Sequence, residues 1–477
     1  MILQYAMALL AGLRDVSTLD FPVAFGLAAS LVVGLTGWEA ARDWRAWWRG
    51  PVIALATVLA LLLIGTPDLV TAPTLWFALA LLGVGLTIAE LGPHLQIASE
   101  TDDRAPSLSD AGTWLAVGLV GAALLGVVGA LTLAASPGPA AASPFGRTTT
   151  PLLVVLGALS LGLPPFGGWR RGLARRDPVG LLVDGLLPLV GIFLAARGLG
   201  TPSAGGVDLT TLLLLALGGL GIAAGLRLVW RADHLVDLRL ATGQLDAGLA
   251  YLALALGTRP AIAAAVALVA VGAIGRAAAR VPTRHWSRWL GWASLIGLPP
   301  LPGFLIRWLF LGVVLSAGRW PLALAIGVVV PVATVGVFRQ FVNLGVAASH
   351  PVESEPVHLG GPSVAALALV LLALLPTGFV AQSLAPLGFA SSVGGRAVLS
   401  IPALLIALLP LPLAIALPPT ARRRRAGPAS LGGPPFLWGL VQELGRRLAG
   451  ATWVIEDRYD LAAGLLVALA VLFAFVE

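Results

Sequence analysis

Long apolar runs, separated by short polar connections, repeat along most of the 477-residue chain. A helix that crosses a membrane needs about 20 mostly apolar residues, and most of these runs come close to that length. The pattern therefore predicts an all-α polytopic membrane protein with about 14 transmembrane helices. The predicted spans are residues 21–37, 51–66, 74–93, 111–134, 151–164, 179–197, 209–230, 243–257, 260–276, 289–316, 320–343, 362–384, 396–417 and 461–476.

The composition supports a membrane protein and narrows the chemistry that the chain can hold. Hydrophobic residues make up 58% of the chain and charged residues only 11%, against about 25% charged residues in soluble proteins. Cysteine is absent, which excludes disulfides, thiolate metal sites, iron–sulfur ligation and cysteine nucleophiles. The five histidines fall in loops or at span ends, and the zinc spacing His-Glu-x-x-His does not occur. We therefore expect no cofactor, no metal and no catalytic site within this chain.

Basic residues fall mostly on one side of the predicted topology, and all 30 of them are arginine. With the N-terminus outside, the alternating spans place 23 arginines on the inner side, 6 on the outer side and one within a span. Because positively charged loops stay cytoplasmic, this split predicts a bacterial or archaeal cytoplasmic membrane protein with its arginine clusters inside. It does not indicate a nucleic-acid partner. The arginines assigned to the inner side include Arg170, Arg239, Arg276, Arg280 and Arg339.

Two apolar runs contain similar proline-rich interruptions. Residues 162–169 read Gly-Leu-Pro-Pro-Phe-Gly-Gly-Trp, and residues 297–304 read Gly-Leu-Pro-Pro-Leu-Pro-Gly-Phe. Proline removes a backbone donor and clashes with the preceding turn, so both stretches should break a helix. Two breaks in corresponding positions indicate a transport path built from structural repeats, whereas either one alone could be a packing kink or a surface loop. The prolines concerned are Pro164, Pro165, Pro299, Pro300 and Pro302.

Four ionisable residues fall inside predicted spans or at their ends, where charge is costly and usually faces the protein interior. They are Glu90, Asp184, Asp246 and Arg307. For Glu90 and Arg307 we favour a place on an ion path over a side chain that reaches the membrane surface. For Asp184 the two interpretations are balanced. Asp246 lies near the start of its predicted span, so a helix-start residue at the membrane interface is the simpler interpretation.

The segment Ser294–Trp308 resembles the second broken helix of a family of antiporter-like membrane subunits. This family occurs in respiratory complex I, in Mrp cation/proton antiporters and in energy-converting hydrogenases. Its pattern is Gly-x-Pro-Pro-x-x-Gly-Phe-x-x-Lys, and only the final lysine is replaced here, by arginine. Residues 162–169 resemble the first broken helix, and residues 89–91 resemble the family's glutamate helix. The resemblance covers residues 75–420 and implies two inverted repeats, each containing a broken helix.

The resemblance also implies an axis of charged and protonatable residues along the membrane midplane. In the family a glutamate pairs with a lysine, a further lysine links the repeats, and another lysine follows the second break. By position, Glu90 matches the glutamate and Arg307 matches the last lysine. The other lysine positions fall at Ser160 and near Leu189, and the chain contains no lysine to fill them.

The loss of lysine changes the chemistry of this expected path. A buried lysine can shift its pKa far enough to load and release a proton, while arginine stays protonated. A complete path would therefore need water together with Glu90, Asp184 and Asp246, with Arg307 as a fixed charge and Ser160 at a vacant lysine position. We expect the family architecture with a weakened or lost half-channel.

The resemblance divides the chain into five parts. They are N-terminal helices, fewer than in the family (1–73), a first repeat with its break near 162–169 (74–208), a second repeat with its break near 297–303 (209–345), C-terminal helices (346–420), and a basic cytoplasmic linker with an amphipathic helix and a final transmembrane helix (421–477). An amphipathic helix of this kind predicts contact with the membrane surface or with a neighbouring subunit.

Together these features predict a membrane-embedded, energy-coupling subunit of a complex-I-like or hydrogenase-like oxidoreductase that contributes to proton translocation. Its partners would be other membrane subunits, redox subunits in trans and lipids. Two alternatives stay open: a subunit of a cation/proton antiporter or ion-driven uptake complex, and a non-conducting spacer in the same kind of assembly. Sodium dependence would favour the antiporter, and co-purifying iron–sulfur or flavin subunits would favour the oxidoreductase.

Overall fold

The computed structural model describes eleven stretches of the chain, and no β-strand occurs in them. The predicted linker, amphipathic helix and last span, within 421–477, lie outside the described residues. The described stretches are residues 21–40, 48–65, 69–95, 108–134, 149–174, 179–199, 209–280, 285–317, 320–348, 364–374 and 401–410.

The first group of helices reaches as far as the first proline-rich break. These helices are apolar on all sides rather than along one stripe, as expected of helices that face lipid and one another. They are α1 (Phe21–Ala40), α2 (Arg49–Gly65), α3 (Ala72–Leu95), α4 (Leu108–Ala134) and α5 (Thr149–Leu161). Each ends near the boundary of its predicted span.

The residues after this break form a series of short pieces before a regular helix resumes. The pieces are a 3₁₀ turn (Phe166–Trp169), α6 (Arg170–Ala174), α7 (Val179–Leu181), a π-helical turn (Leu182–Leu186) and α8 (Leu187–Gly198). The turn and the helices on either side of it form one nearly continuous buried rod.

The remaining described helices include the second broken one, which consists of α12 and α13. In order they are α9 (Leu209–Arg231), α10 (Leu235–Leu254), α11 (Arg259–Arg280), α12 (His285–Ile296), α13 (Pro302–Ser316), α14 (Trp320–Ala348), α15 (Val364–Leu374) and α16 (Ile401–Leu408). The predicted single span 289–316 is thus two helices separated by residues 297–301.

Six of the described helical segments are long and apolar enough to cross a membrane. Five further apolar helices are shorter, at 10–17 residues, and they include one half-helix at each break, α5 at the first and Pro302–Ser316 at the second. The protein is therefore a multi-pass membrane protein, and its described elements are all helical. The number of about 14 spans and the inverted repeats stay predictions, because length and composition alone identify fewer spans in the part of the chain that is described.

Helix α11 is the centre of the packing. It contacts α1, α8, α10, α12, α13 and α15, as well as the π-helical turn. Most of its residues are buried, whereas fewer than half of those in α3 and α4 are. Groups carried by α11 can therefore contact both halves of the molecule.

Five arginines that the sequence pattern assigns to cytoplasmic loops lie within helices instead. Arg170, Arg239, Arg276, Arg280 and Arg339 belong to helices, and each is less than 10% exposed. The loop interpretation is wrong for these residues, because their guanidinium groups are buried among helices rather than held in water. They give no information on which side of the membrane a loop lies.

Candidate functional site

The first break ends α5 in a glycine-based helix cap. Gly162 has a φ of +62°, a conformation that side-chain-bearing residues rarely adopt. The Gly162 amide donates to the Leu159 carbonyl at 3.2 Å, and the Leu163 amide donates to the Ala158 carbonyl at 2.9 Å. These two bonds define the Schellman helix end. The prolines that follow cannot continue the helix.

The second break repeats this arrangement at the end of α12. Gly297 has a φ of +83°. Its amide donates to the Ser294 carbonyl at 3.0 Å, and the Leu298 amide donates to the Ala293 carbonyl at 2.9 Å. The same backbone hydrogen bonds therefore end the first half-helix at both sites.

An arginine satisfies the carbonyl groups that each helix end leaves open. Arg170 donates from Nη1 to the Leu161 carbonyl, the residue just before Gly162. Arg307 donates to the carbonyls of Ile296 and Leu295, each at 2.6 Å, and Ile296 is the residue just before Gly297. Open carbonyls inside a membrane need such a partner. We call these two residues the break arginines.

Asp184 lies inside the π-helical turn, which exposes backbone groups that an α-helix would use internally. The Val183 carbonyl accepts a hydrogen bond from Arg170 Nη2 at 2.7 Å. The Asp184 carbonyl accepts one from Arg276 Nε at 3.0 Å. The turn therefore joins the first break arginine to α11.

Three guanidinium groups surround the Asp184 carboxylate, which is almost fully buried. Arg170 Nη2 lies 3.5 Å from Oδ1, while Arg239 Nε and Arg280 Nη1 lie 3.3 Å and 3.6 Å from Oδ2. Arg239 and Arg280 also donate to the Ala174 carbonyl. A buried carboxylate needs compensation of this kind to stay charged.

Arg276 connects this cluster to the second acidic residue. Besides its bond to the Asp184 carbonyl, it donates from Nη1 to Asp246 Oδ2 at 2.9 Å. Arg276 is 1% exposed and Asp246 4% exposed. The helix-start interpretation of Asp246 is wrong, because α10 begins at Leu235 and Asp246 lies buried in its middle.

A small cavity separates Asp246 from the second break arginine. Asp246, Gly272, Ser294, Gly303 and Arg307 are among the residues that line it, and its size is about that of one water molecule. The charges of Asp246 and Arg307 attract each other across this space. Arg307 also contacts the Thr334 hydroxyl at 3.3 Å.

Five residues, four of them buried and Arg307 partly buried, therefore form one series of charges that joins the two breaks. We call this series, Arg170–Asp184–Arg276–Asp246–Arg307, the polar axis. Three members were candidates from the sequence, while Arg170 and Arg276 were assigned to loops. The signal that could have identified Arg170 is its position eight residues after Gly162, similar to the ten residues from Gly297 to Arg307.

Other predicted site residues lie next to the polar axis without joining it. Ser160 is buried, donates to the Leu156 carbonyl at 2.8 Å in its own helix, and packs against Gly191. Leu189, near the second vacant lysine position, is a buried apolar residue. The predicted break residues lie at their breaks: Pro164, Pro165, Pro299 and Pro300 between the half-helices, and Pro302 as the first residue of α13.

Glu90 belongs to α3, but its side chain lies outside the described part of the structure. Its place on an ion path stays a prediction. Among the residues that the structure describes, no group of three or more histidine, aspartate or glutamate side chains could hold a metal ion.

The fold is similar to that of chains in three solved membrane complexes. A chain of the Mrp complex from Dietzia sp. DQ12-45-1b aligns with 96% of this chain at 20% identity, with a TM-score of 0.64. For respiratory complex I from Thermus thermophilus with bound aureothin the alignment covers 79% of this chain and 91% of the other, at 23% identity and a TM-score of 0.57. For an archaeal membrane-bound sulfane sulfur reductase it covers 81% and 84%, at 17% identity and 0.59.

The chain has the fold of an antiporter-like, complex-I-type membrane subunit. This confirms, at the level of the fold, the resemblance predicted from the broken-helix motifs. The chain spans 56% of the length of the Mrp-complex chain that it matches. No protein-family model and no curated protein matches its sequence.

Proposed function

We propose that this antiporter-like chain is a proton-conducting, energy-coupling subunit of a complex-I-like or hydrogenase-like membrane assembly. The supporting observation is the polar axis, in which hydrogen bonds and ion pairs link Arg170, Asp184, Arg276 and Asp246, and Arg307 lines the same small cavity as Asp246. Charged groups inside a membrane are costly and mark ion paths or transport sites.

The residues of the polar axis divide into fixed charges and proton carriers. Each arginine is bonded to at least one backbone carbonyl and stays protonated. Asp184 and Asp246 are the members that can change protonation state. Their carboxylates take the role that lysines have in the family.

A second candidate is a subunit of a cation/proton antiporter. It is favoured by the alignment with the Mrp-complex chain, which extends over 96% of this chain. The residues of the polar axis serve this function equally well. The difference lies in the partners: redox subunits for the first proposal, and none for the second.

A third candidate is the non-conducting spacer. It is favoured by the arginines of the polar axis, since each is held by backbone carbonyls as a structural clamp would be. In a spacer the carboxylates would only balance these charges.

Proton flux tests the proposal directly. The chain would be purified with the subunits that accompany it in mild detergent, reconstituted in liposomes, and monitored with a pH-sensitive dye. Asp246→Asn should reduce flux to the level of empty liposomes. Asp233→Asn, which changes an exposed aspartate in the turn before α10, should leave it unchanged. Wild-type flux in an intact Asp246→Asn complex would favour the spacer.

The driving force separates the first two candidates. Flux that starts on addition of an electron donor, with iron–sulfur or flavin subunits present, would support the oxidoreductase assembly. Flux that starts on imposing a sodium gradient, without such subunits, would support the antiporter. Both results would leave the role of Asp246 intact.

A further inference from the structure

Helices α1 and α15, from distant parts of the chain, form one side of the bundle around α11. They contact each other, and both contact α11. Their outward residues, Leu31 and Leu35 on α1 and Leu367 and Leu371 on α15, are about half exposed, whereas 94% of the apolar stretch of α11 is buried. The pair therefore covers one flank of the central helix.

Helix α15 has no polar side chain that could fix its position. Its sequence is Val-Ala-Ala-Leu-Ala-Leu-Val-Leu-Leu-Ala-Leu. Because lipid chains are as apolar as these side chains, apolar burial does not by itself favour α15 on α11 over α15 in lipid. Hydrogen bonds between helices contribute to such a preference. The polar groups that α15 offers for this purpose are the backbone amides of its first turn, which the helix itself cannot bind.

Two side chains of α1 bind amides of this first turn. Thr36 Oγ1 accepts a hydrogen bond from the Ala365 amide at 3.0 Å, and Glu39 Oε2 accepts one from the Val364 amide at 3.1 Å. Thr36 Oγ1 donates its own proton to the Val32 carbonyl at 2.8 Å, which leaves its lone pairs for α15. Both Thr36 and Ala365 are fully buried, and a buried amide needs an acceptor of this kind.

These bonds act across 325 and 329 positions of the sequence, whereas an ordinary helix cap comes from the residue just before the helix. We propose that Thr36 and Glu39 form a latch, a pair of acceptors on α1 that holds the start of α15 in the bundle. When the latch opens, α15 separates from α1 and uncovers the flank of α11. The carboxylate of Glu39 also suits the positive end of the helix dipole.

The latch joins the N-terminal helices to the C-terminal helices, which both lie outside the two predicted repeats. Because α11 carries Arg276 and Arg280, the latch sets how closely the covering pair packs against the helix that bears them. This inference does not depend on proton conduction, since the two bonds hold α15 in the resting protein whether or not the polar axis conducts.

Distances between spin labels test the latch in the full-length chain with its co-purifying subunits in lipid nanodiscs. The chain contains no cysteine, and Leu35→Cys with Leu371→Cys places labels on exposed positions of α1 and α15. A sample without this pair supplies the background from partner subunits. With the native latch, electron paramagnetic resonance should give one narrow distance distribution. Thr36→Val removes the hydroxyl and keeps the shape, and it should raise the ratio of a longer-distance population to the short one about threefold.

Further variants separate the latch from a general loss of packing. Glu39→Ala should have an effect of similar size, and the combination with Thr36→Val should raise the ratio about tenfold. Thr36→Ser keeps the hydroxyl and should retain the native distribution. The matched control Thr87→Val should also retain it, because that buried hydroxyl donates to the Gly83 carbonyl of its own helix at 2.8 Å.

Native distances in the combined variant would overturn the proposal. An equal change in Thr87→Val would do so as well, because the loss of any buried hydroxyl would then loosen the bundle. If the combined variant does not assemble, Glu39→Gln, which keeps an acceptor oxygen, is compared with Glu39→Ala. The longer distance should appear with alanine and not with glutamine, and equal distributions in these two variants would contradict the latch.

Discussion

At the scale of single residues, the shape of arginine explains how one side chain can join two acidic sites. Arg276 donates from Nε to the Asp184 carbonyl and from Nη1 to the Asp246 carboxylate. The planar guanidinium presents donors in a fixed fork, whereas a lysine has a single charged nitrogen. Arg276 is thus the link between the first and second halves of the polar axis.

Replacing Arg276 with lysine should therefore break that link. We expect Arg276→Lys to lower the free energy of unfolding by about 2 kcal/mol, as for the loss of one hydrogen bond to a buried charged group. Thermal unfolding of the detergent-solubilised protein measures this as a lower Tm. Arg231→Lys, an exposed residue at the end of α9, is the control. Equal Tm values for both variants would show that the two hydrogen bonds of the Arg276 guanidinium do not contribute to stability.

Asp184 should have the largest effect on stability among the acidic residues of the axis. Asp184→Asn removes the charge that faces three buried guanidiniums, and breaking a buried ion pair in this way costs about 3–5 kcal/mol. The same unfolding measurement should show a Tm far below that of Asp233→Asn, which changes an exposed aspartate. An Asp184→Asn protein that unfolds like the wild type would contradict the arrangement of charges around this residue.

The sequence identified some residues of the axis and not others, for a physical reason. Asp184, Asp246 and Arg307 are single charges within apolar runs, which makes them visible. Arg170 and Arg276 lie beside further arginines at the ends of apolar runs, where they look the same as loop charges. Only the packing of α11 against the first break distinguishes a buried arginine from a solvated one.

At the scale of elements, the two breaks could be predicted and the π-helical turn could not. A break depends on local properties of glycine and proline, which act wherever they occur in a helix. The π-helical turn around Asp184 is stabilised instead by hydrogen bonds from Arg170 and Arg276. Nothing in residues 182–186 alone distinguishes them from an ordinary α-helix.

The glycine of each break should tolerate no side chain. In Gly162→Ala and Gly297→Ala the positive φ costs about 1–2 kcal/mol, and the new methyl group would also crowd the break arginine. We expect a lower Tm for both variants than for Gly219→Ala, a helical glycine with open space around it. If all three variants unfold at the same temperature, the glycine caps do not contribute to the breaks.

At the scale of the whole molecule, the polar axis passes through a bundle whose centre is α11. This helix contributes Arg276 and Arg280, and it packs against α10, which carries Asp246, and against the turn that carries Asp184. A change of charge at one break can therefore reach the other through α11.

The hydropathy pattern was sufficient to predict the helical membrane fold, because apolar length is a local property of the chain. It could not predict the connection between the halves, since the bonds of the axis join residues up to 92 positions apart in sequence. Five of the arginines counted in cytoplasmic loops are buried in helices. The distribution of arginine is therefore weaker evidence for the topology than the sequence alone indicates.

We propose that protons pass along the polar axis by way of its carboxylates. The measurement that tests it most directly is proton flux through reconstituted complexes that carry Asp246→Glu or Asp246→Asn, compared at equal complex content. Asp246→Glu keeps a protonatable group and should retain measurable flux, while Asp246→Asn keeps the shape and should have none. Equal flux in the two variants would contradict the claim, because the axis would then work without a proton carrier at this position.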